Sequence, residues 1–314
     1  MSKRRVGVLV MSYGTPRSME EIEPYYTHIR RGNPPSAEQL TELQERYEAI
    51  VGGVFPLREH TDRQVAGLQL ALDRLTEDTN VQYMCYQGLK HVQPYIEDGV
   101  AAMAHDGLTE AISIVLAPHY SVMSVGGYNK RAQEEAEKHG IQMKCVNSYH
   151  LHPELIDALA KRVNEQLDAF VQEGADRGAV EVLFSAHSLP ARILEMNDPY
   201  PDELNATAAA IAKQCGLKDS QWRFTWQSAG QTATPWLGPD ILDTLSTVAD
   251  EGTKWVLSAP IGFVSDHLEV LYDLDIEALQ NAQNLQLGFK RIRMLNDDPQ
   301  FMSVLADTIM KLDQ

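Results

Sequence analysis

The chain has 314 residues, enough for two domains or one large one. It carries 44 acidic against 27 basic residues, and the resulting net charge of −17 disfavours nucleic acid as a partner. Hydrophobic residues make up 44%, an ordinary globular share, and no run reaches the ~18 apolar residues that a membrane span needs.

The first element, Val6 to Met11, is apolar without alternation and reads as a buried parallel strand. It is too short for the centre of a signal peptide, and no small-residue cleavage site follows, so a cytoplasmic chain is expected. The strand runs into Ser12-Tyr13-Gly14-Thr15-Pro16. Ser18-Met19-Glu20-Glu21 predicts a capping box and a helix through Ile22, Tyr25, Tyr26 and Ile29. That helix ends near Gly32, with Arg30 and Arg31 at its basic end. A second helix, Ala37 to Ile50, puts Leu40, Leu43, Tyr47 and Ile50 at helical spacing, and Gly52-Gly53 marks a turn. The segment near 17–55 is rich in Tyr and Arg. Rings that stack and guanidinium groups that grip carboxylates suit a flat, anionic ligand. An amphipathic surface hairpin accounts for the same residues.

A helix from Thr61 to Leu75 and a strand near Val81 to Tyr86 follow, with Lys90-His91 beyond that strand. Helix Tyr95 to His105 and strand Ala111 to Leu116 come next. The loop 117–128 carries His119, Tyr120, Gly126 and Gly127, and its glycines allow a tight backbone path over a ligand. Helix Asn129 to His139, a strand near Met143 to Ser148 and helix Glu154 to Gly174 lead onward. Cys85, Cys145 and Cys215 are far apart, against a disulfide framework, a zinc knuckle or a four-Cys cluster.

Val182-Leu183-Phe184-Ser185-Ala186-His187-Ser188-Leu189-Pro190 repeats the shape of the first strand and its exit. Tyr13 falls where His187 falls, 174 positions earlier. Ile114 to Tyr120 matches Val256 to Gly262, and Tyr86-Gln87-Gly88 matches Trp226-Gln227-Ser228. This is the signature of a duplicated α/β lobe. The expected domains are 1–150 and 151–314, with the last helix packing back on the first lobe and a cleft between the lobes. The expected strands of the second lobe are Val180 to Phe184, Arg223 to Trp226 and Lys254 to Ser258. His187 then stands at the carboxyl edge of a sheet, where open α/β sheets bind ligands. A lone His there more commonly bonds only a loop, and the repeat is what raises its weight.

After the bend Pro260-Ile261-Gly262, the residues Asp266, Glu269, Asp273 and Glu277 recur at steps of 3, 4 and 4, expected on one helix face. A wet face is the ordinary reading. A His and a carboxylate at one sheet edge also bind a divalent metal or share a proton.

In these stretches the chain resembles the ferrochelatases, from Val6 to about Leu312. The specific pieces are Ser185-Ala186-His187-Ser188-Leu189-Pro190 and Gly262-Phe263-Val264-Ser265-Asp266-His267-Leu268-Glu269. Tyr25 to Gly32, Arg46 to Ile50, Gly88 to His91 and Tyr128 to Ala132 add to them. The chain is most similar to the short, soluble enzymes of Gram-positive bacteria, which act on coproporphyrin III. The resemblance implies two Rossmann-like lobes with the porphyrin between them, and insertion of Fe²⁺ as a substrate. It implies His187 and Glu269 as the metal-binding and proton-abstracting pair, with Tyr13 on the opposite porphyrin face. Arg30, Arg46, Tyr47, Phe55 and Tyr128 stand at porphyrin-binding positions. Lys90, His91, Arg31 and Asp266 are further candidates. Asp273 and Glu277 match an outer cation site able to hold Mg²⁺. One position departs: similar enzymes carry a small hydroxyl residue before Pro-Leu, where this chain has Val54-Phe55 with one residue inserted. No cofactor, iron–sulfur cluster or transmembrane segment is expected, and the working form is expected to be a monomer.

Alternatives share the fold. A protoporphyrin IX ferrochelatase or another tetrapyrrole chelatase uses the same ligand chemistry. A metal- or haem-binding protein also pairs two α/β lobes. A Ser-His hydrolase through Ser185 or Ser188 lacks a Gly-x-Ser-x-Gly elbow.

Overall fold

Eight strands build two four-stranded parallel sheets in this computed structural model, which describes residues 3–51, 55–230, 232 and 234–314. Gly52, Gly53 and Val54, read above as a turn and as the departing position, lie outside the described residues. In the first sheet β1 (Arg4–Ser12), β2 (Val81–Leu89), β3 (Glu110–Val115) and β4 (Gln142–Cys145) take the order β2-β1-β3-β4. In the second, β5 (Val180–His187), β6 (Trp222–Gln227), β7 (Trp255–Ala259) and β8 (Gly288–Arg291) take the order β6-β5-β7-β8. The identical order is the structural form of the repeat. β1 aligns Leu9 with Tyr86 and with Ser113, and β5 aligns Phe184 with Phe224 and with Ala259. Central strands covered on both faces need apolar residues at every position, hence the unbroken runs in β1 and β5.

Contacts divide the chain into two units. One comprises Met1–Tyr149, Ser265–His267 and Asn296–Gln314; the other comprises His150–Val264 and Leu268–Leu295. The first unit buries Leu9, Met11, Ile96, Val100, Met103, Val115 and Val125 in one cluster. The second buries Leu183, Ile241, Leu245, Val256, Val270 and Leu274. In each unit the chain changes direction across the sheet beside its central strand, between β1 and β3 and between β5 and β7. The carboxyl edge at such a switch point is where α/β sheets hold ligands.

Three helices join β1 to β2: α1 (Ile22–Ile29), α2 (Ala37–Val51) and α3 (Pro56–Leu75). The capping box at Ser18 does not form. Ser18 makes no side-chain cap, and Glu21 Oε2 instead accepts from the Arg17 backbone N–H at 2.9 Å. A short 3₁₀ turn, Met19–Glu21, precedes α1. Helix α3 begins at Pro56, before the expected Thr61, because proline at the first helical position loses no hydrogen bond. After β2 comes α4 (Ile96–His105), and after β3 comes α5 (Val125–Lys138). Gly126 and Gly127 lie inside α5, not in a loop over a ligand. A Cβ at Gly126 would stand 2.9 Å from Tyr120 Oη, so close packing accounts for that glycine.

The second unit carries α6 (Pro153–Gln172), α7 (Tyr200–Gln214) and α8 (Ile241–Asp250). Beyond β7 lie α9 (Leu268–Leu271), a π-helical turn (Asp273–Ala278) and α10 (Leu279–Asn284). Strand β8 was not read from sequence, since its four residues are all half-buried and carry no apolar run. The last helix, α11 (Pro299–Asp313), packs on α3 in the first unit. Among the described residues, no helix is long and apolar enough to cross a membrane.

Candidate active site

His187 is the last residue of β5, and its ring is held from both sides. Nδ1 faces the Ser188 carbonyl oxygen at very short range, and Nε2 stands 3.5 Å from Glu269 Oε1. A carbonyl only accepts, so Nδ1 keeps its hydrogen and Nε2 is the nitrogen that exchanges a proton or meets a metal. Tyr200 Oη donates to the His187 carbonyl at 3.1 Å, fixing the backbone. Burial pulls the imidazole pKa down. The Glu269 charge and hydrogen bond, the Ser188 carbonyl and the Asp273 charge outweigh it and push the ring up to about 9. At neutral pH the pair therefore rests as imidazolium and carboxylate.

Glu269 opens onto this ring because the segment after β7 approaches β5 closely. A Cβ on Gly262 would overlap Ala186, the residue before His187. The Glu269 backbone is tied as well: Gln227 Nε2 donates to its carbonyl at 3.0 Å, while Ser185 Oγ donates to Gln227 Oε1 at 2.9 Å. Ser228 Oγ donates to Asp273 Oδ2 at very short range. Gln227 and Ser228 thus hold the site and were not singled out from sequence. The signal was present in the match of Trp226-Gln227-Ser228 to Tyr86-Gln87-Gly88.

The acidic row needs correction. Asp266 precedes the helix and belongs to the first unit, where Asn296 Oδ1 accepts from its N–H at 2.8 Å and Asn296 Nδ2 donates to Oδ2 at 2.7 Å. It does not share a face with Glu269. Asp273 is buried at 7% exposure, not wet, and Glu277 is exposed. The π-helical turn carries the N–H of Glu277 to the Tyr272 carbonyl at 3.0 Å, five residues back. An α-helical step of four overshoots a full turn, and a step of four in the wider π turn undershoots it. The drift of the first step, from Glu269 to Asp273, is therefore opposite in sign to that of the second, from Asp273 to Glu277. Among the described residues, no three His, Cys, Asp or Glu side chains form a ready metal cluster. The His187–Glu269 pair offers two donors with open positions.

At the corresponding edge of the first unit stands a group of rings and cations. Tyr13, just past β1, is 41% exposed, and its ring lies 4.5 Å from that of His91. Lys90 Nζ sits 4.9 Å from the Tyr128 ring centroid and 5.7 Å from that of Tyr13. Burial and the Arg131 charge lower the Lys90 pKa. Burial, then Lys90, His28 and Arg131, bring His91 down to about 3, so its ring is neutral. His28 Nδ1 meets His91 Nδ1 at 3.0 Å. Tyr128 is buried, which raises its phenol well above the ordinary value. Arg30 ends α1 with its guanidinium 5.7 Å from the Tyr26 ring centroid, and Arg31 takes a left-handed backbone at φ 57°. Arg46 is half-buried on α2. Tyr47 and Phe55 are buried against each other, centroids 4.7 Å apart, with Tyr47 Oη 3.2 Å from Thr15 Oγ1.

Two repeats of one parallel α/β unit thus carry a His–carboxylate pair on one and a ring-and-cation group at the equivalent edge of the other. Comparison with solved structures agrees on the fold. The sirohydrochlorin chelatase SirB from Bacillus subtilis subspecies spizizenii, solved with cobalt, superposes with a TM-score of 0.56 at 10% identity, covering 98% of this chain and 95% of that one. The ferrochelatase family model matches residues 5–312, and the chain belongs to that family. It is 44% identical over 313 residues to the coproporphyrin III ferrochelatase of Bacillus pumilus (strain SAFR-032), covering 99% of this chain and 98% of the relative. It is 46% identical over 313 residues to the protein of that name from Halalkalibacterium halodurans, with the same coverage. A ferrochelatase of Herpetosiphon aurantiacus is 46% identical over 308 residues, covering 97% and 98%.

Proposed function

We propose that this chain inserts Fe²⁺ into coproporphyrin III, with His187 and Glu269 as the reacting pair. The observation that carries the reading is the 3.5 Å approach of His187 Nε2 to Glu269 Oε1 at the carboxyl edge of β5. The family and the similarity to proteins named coproporphyrin III ferrochelatase supply the substrate.

A free-base porphyrin gives up two pyrrole protons as Fe²⁺ enters, leaving a neutral complex. The pair already holds one proton between Nε2 and Oε1. That proton must leave to solvent before the pair can act, which returns the lone pair to Nε2. Nε2 then takes one pyrrole proton as the base while Glu269 balances the imidazolium that forms, the second pyrrole proton passes to water, and Fe²⁺ enters the ring nitrogens so freed. The exposed Tyr13 ring provides a face for the macrocycle, and Tyr128 and Lys90 support it. Arg30 and Arg46 hold propionates, each charge-assisted bond contributing about 1.5–3 kcal/mol. Asp273 and Glu277 hold a hydrated Mg²⁺ or pass hydrated cations inward. The chain works as a cytoplasmic monomer without an iron–sulfur cluster. Its three free cysteines fit a reducing compartment, and light scattering tests the assembly.

Anaerobic initial rates with Fe²⁺, followed by porphyrin absorbance, test the function. Wild type is expected to favour coproporphyrin III over protoporphyrin IX at least tenfold in kcat/KM. His187→Ala is expected to lose at least about 100-fold in kcat, the usual cost of a missing base. The reverse preference overturns the substrate, and a variant keeping a tenth of the rate removes His187 as the base.

A further inference from the structure

A second pair of arginines stands beside the residues assigned to the porphyrin. Arg17 lies two residues past Thr15, which meets Tyr47, and Arg58 lies in the first turn of α3, three residues past Phe55. Both guanidinium groups reach one atom. Arg58 Nη1 donates to the Gln93 carbonyl oxygen at 2.9 Å and Arg17 Nη2 donates to it at 3.4 Å. Gln93 is two residues beyond His91, whose backbone N–H donates to the Tyr13 carbonyl at 3.2 Å.

Like charges held at one neutral oxygen repel each other and leave most of their donors available. A guanidinium carries five N–H groups. Among the described residues, no carboxylate oxygen stands within hydrogen-bond distance of either one. Asp62 Oδ2 is 3.7 Å from Arg58 Nε, and Glu21 binds only the backbone N–H of Arg17. The start of α3 adds positive potential, since Phe55 gives no side-chain cap to its free N–H groups.

We propose that Arg17 and Arg58 form a carboxylate subsite that takes a propionate of the porphyrin, separate from Arg30 and Arg46. The proposal rests on the reading of this chain as a porphyrin chelatase. The Phe55 ring is buried on Tyr47 with no hydrogen bond to give. Arg58, one helical turn on, supplies donors in its place. Planar guanidinium groups match a carboxylate edge with paired N–H···O bonds.

Fluorescence titration with coproporphyrin III and with its tetramethyl ester, in one detergent, tests this. Arg17→Gln/Arg58→Gln is expected to weaken binding of the tetra-acid at least tenfold and of the ester less than twofold. Arg17→Lys/Arg58→Lys, which keeps charge but not the fork, is expected to fall between. If the double variant does not fold, the two single Gln variants carry the same comparison. An unchanged tetra-acid Kd, or an equal loss for the ester, overturns the subsite. A wild type that neither binds nor metallates coproporphyrin III overturns the underlying reading as well, which separates the two failures.

Discussion

His187 and His91 occupy equivalent sheet edges and are driven in opposite directions. Glu269 faces the first and raises it to about 9; burial together with Lys90 takes the second to about 3. The residue types were legible in the sequence, but their charge states were not, because the partners come from distant segments. The shifts have consequences for stability. His187 is raised above its unfolded value of ~6.5. Its contribution is fully present below that pH and is lost as pH rises through about 9. Glu269→Gln removes the largest raising influence. The metal-free variant is expected to lose less Tm than wild type between pH 6.5 and 9 when both are melted across that range. Parallel curves would count against the pairing. The His91 shift has the other sign: its contribution is present above ~6.5 and declines as pH falls toward about 3.

At the level of elements, the segment from Gly262 to Ala278 decides the geometry of the pair. Gly262 lets the chain lie against Ala186, and a methyl group there has no room. Gly262→Ala is expected to cost about 1–3 kcal/mol, as overpacking does. It should also widen the His187–Glu269 gap and lower the insertion rate. Denaturant midpoints check the first part; a loss below about 0.5 kcal/mol would mean the segment yields freely. The apolar runs of β1 and β5 made the sheets legible, and the steps of four along Glu269, Asp273 and Glu277 made a helix legible. The π turn and the exclusion of Asp266 were not. Asn296 sets where the helix begins by binding Asp266 from thirty residues away, and no local spacing reports that. Gly126-Gly127 misled for a related reason: glycine marks a loop path and a close packing contact alike.

The largest scale concerns the order in which the chain completes itself. The second unit lies in sequence between parts of the first, which ends with Asn296–Gln314. Helix α11 buries Phe301, Met302, Val304, Leu305 and Ile309, and a Cβ at Gly67 of α3 would stand 3.0 Å from Met302. Its end is clasped as well. Asp313, its side chain 6% exposed, takes Arg4 at 2.7 and 2.9 Å and Tyr83 Oη at 2.7 Å, and Lys144 Nζ donates to the Leu312 carbonyl at 3.0 Å. Burial opposes the charge on Asp313, but its bonds to Arg4 and Tyr83 hold its pKa below the ordinary carboxylate value. Fully burying each large apolar side chain contributes about 1.5–3 kcal/mol. Five of them match the whole ~5–15 kcal/mol that stabilises a typical domain. A chain cut after Leu295 is therefore expected to lose the first unit and keep the second. Hydrogen exchange resolves this strand by strand. Amides of β1, β2 and β3 should exchange near the unfolded rate, while those of β5, β6 and β7 keep most of their protection. Equal protection of both sets in the shortened chain would show that α11 only decorates a unit already complete without it.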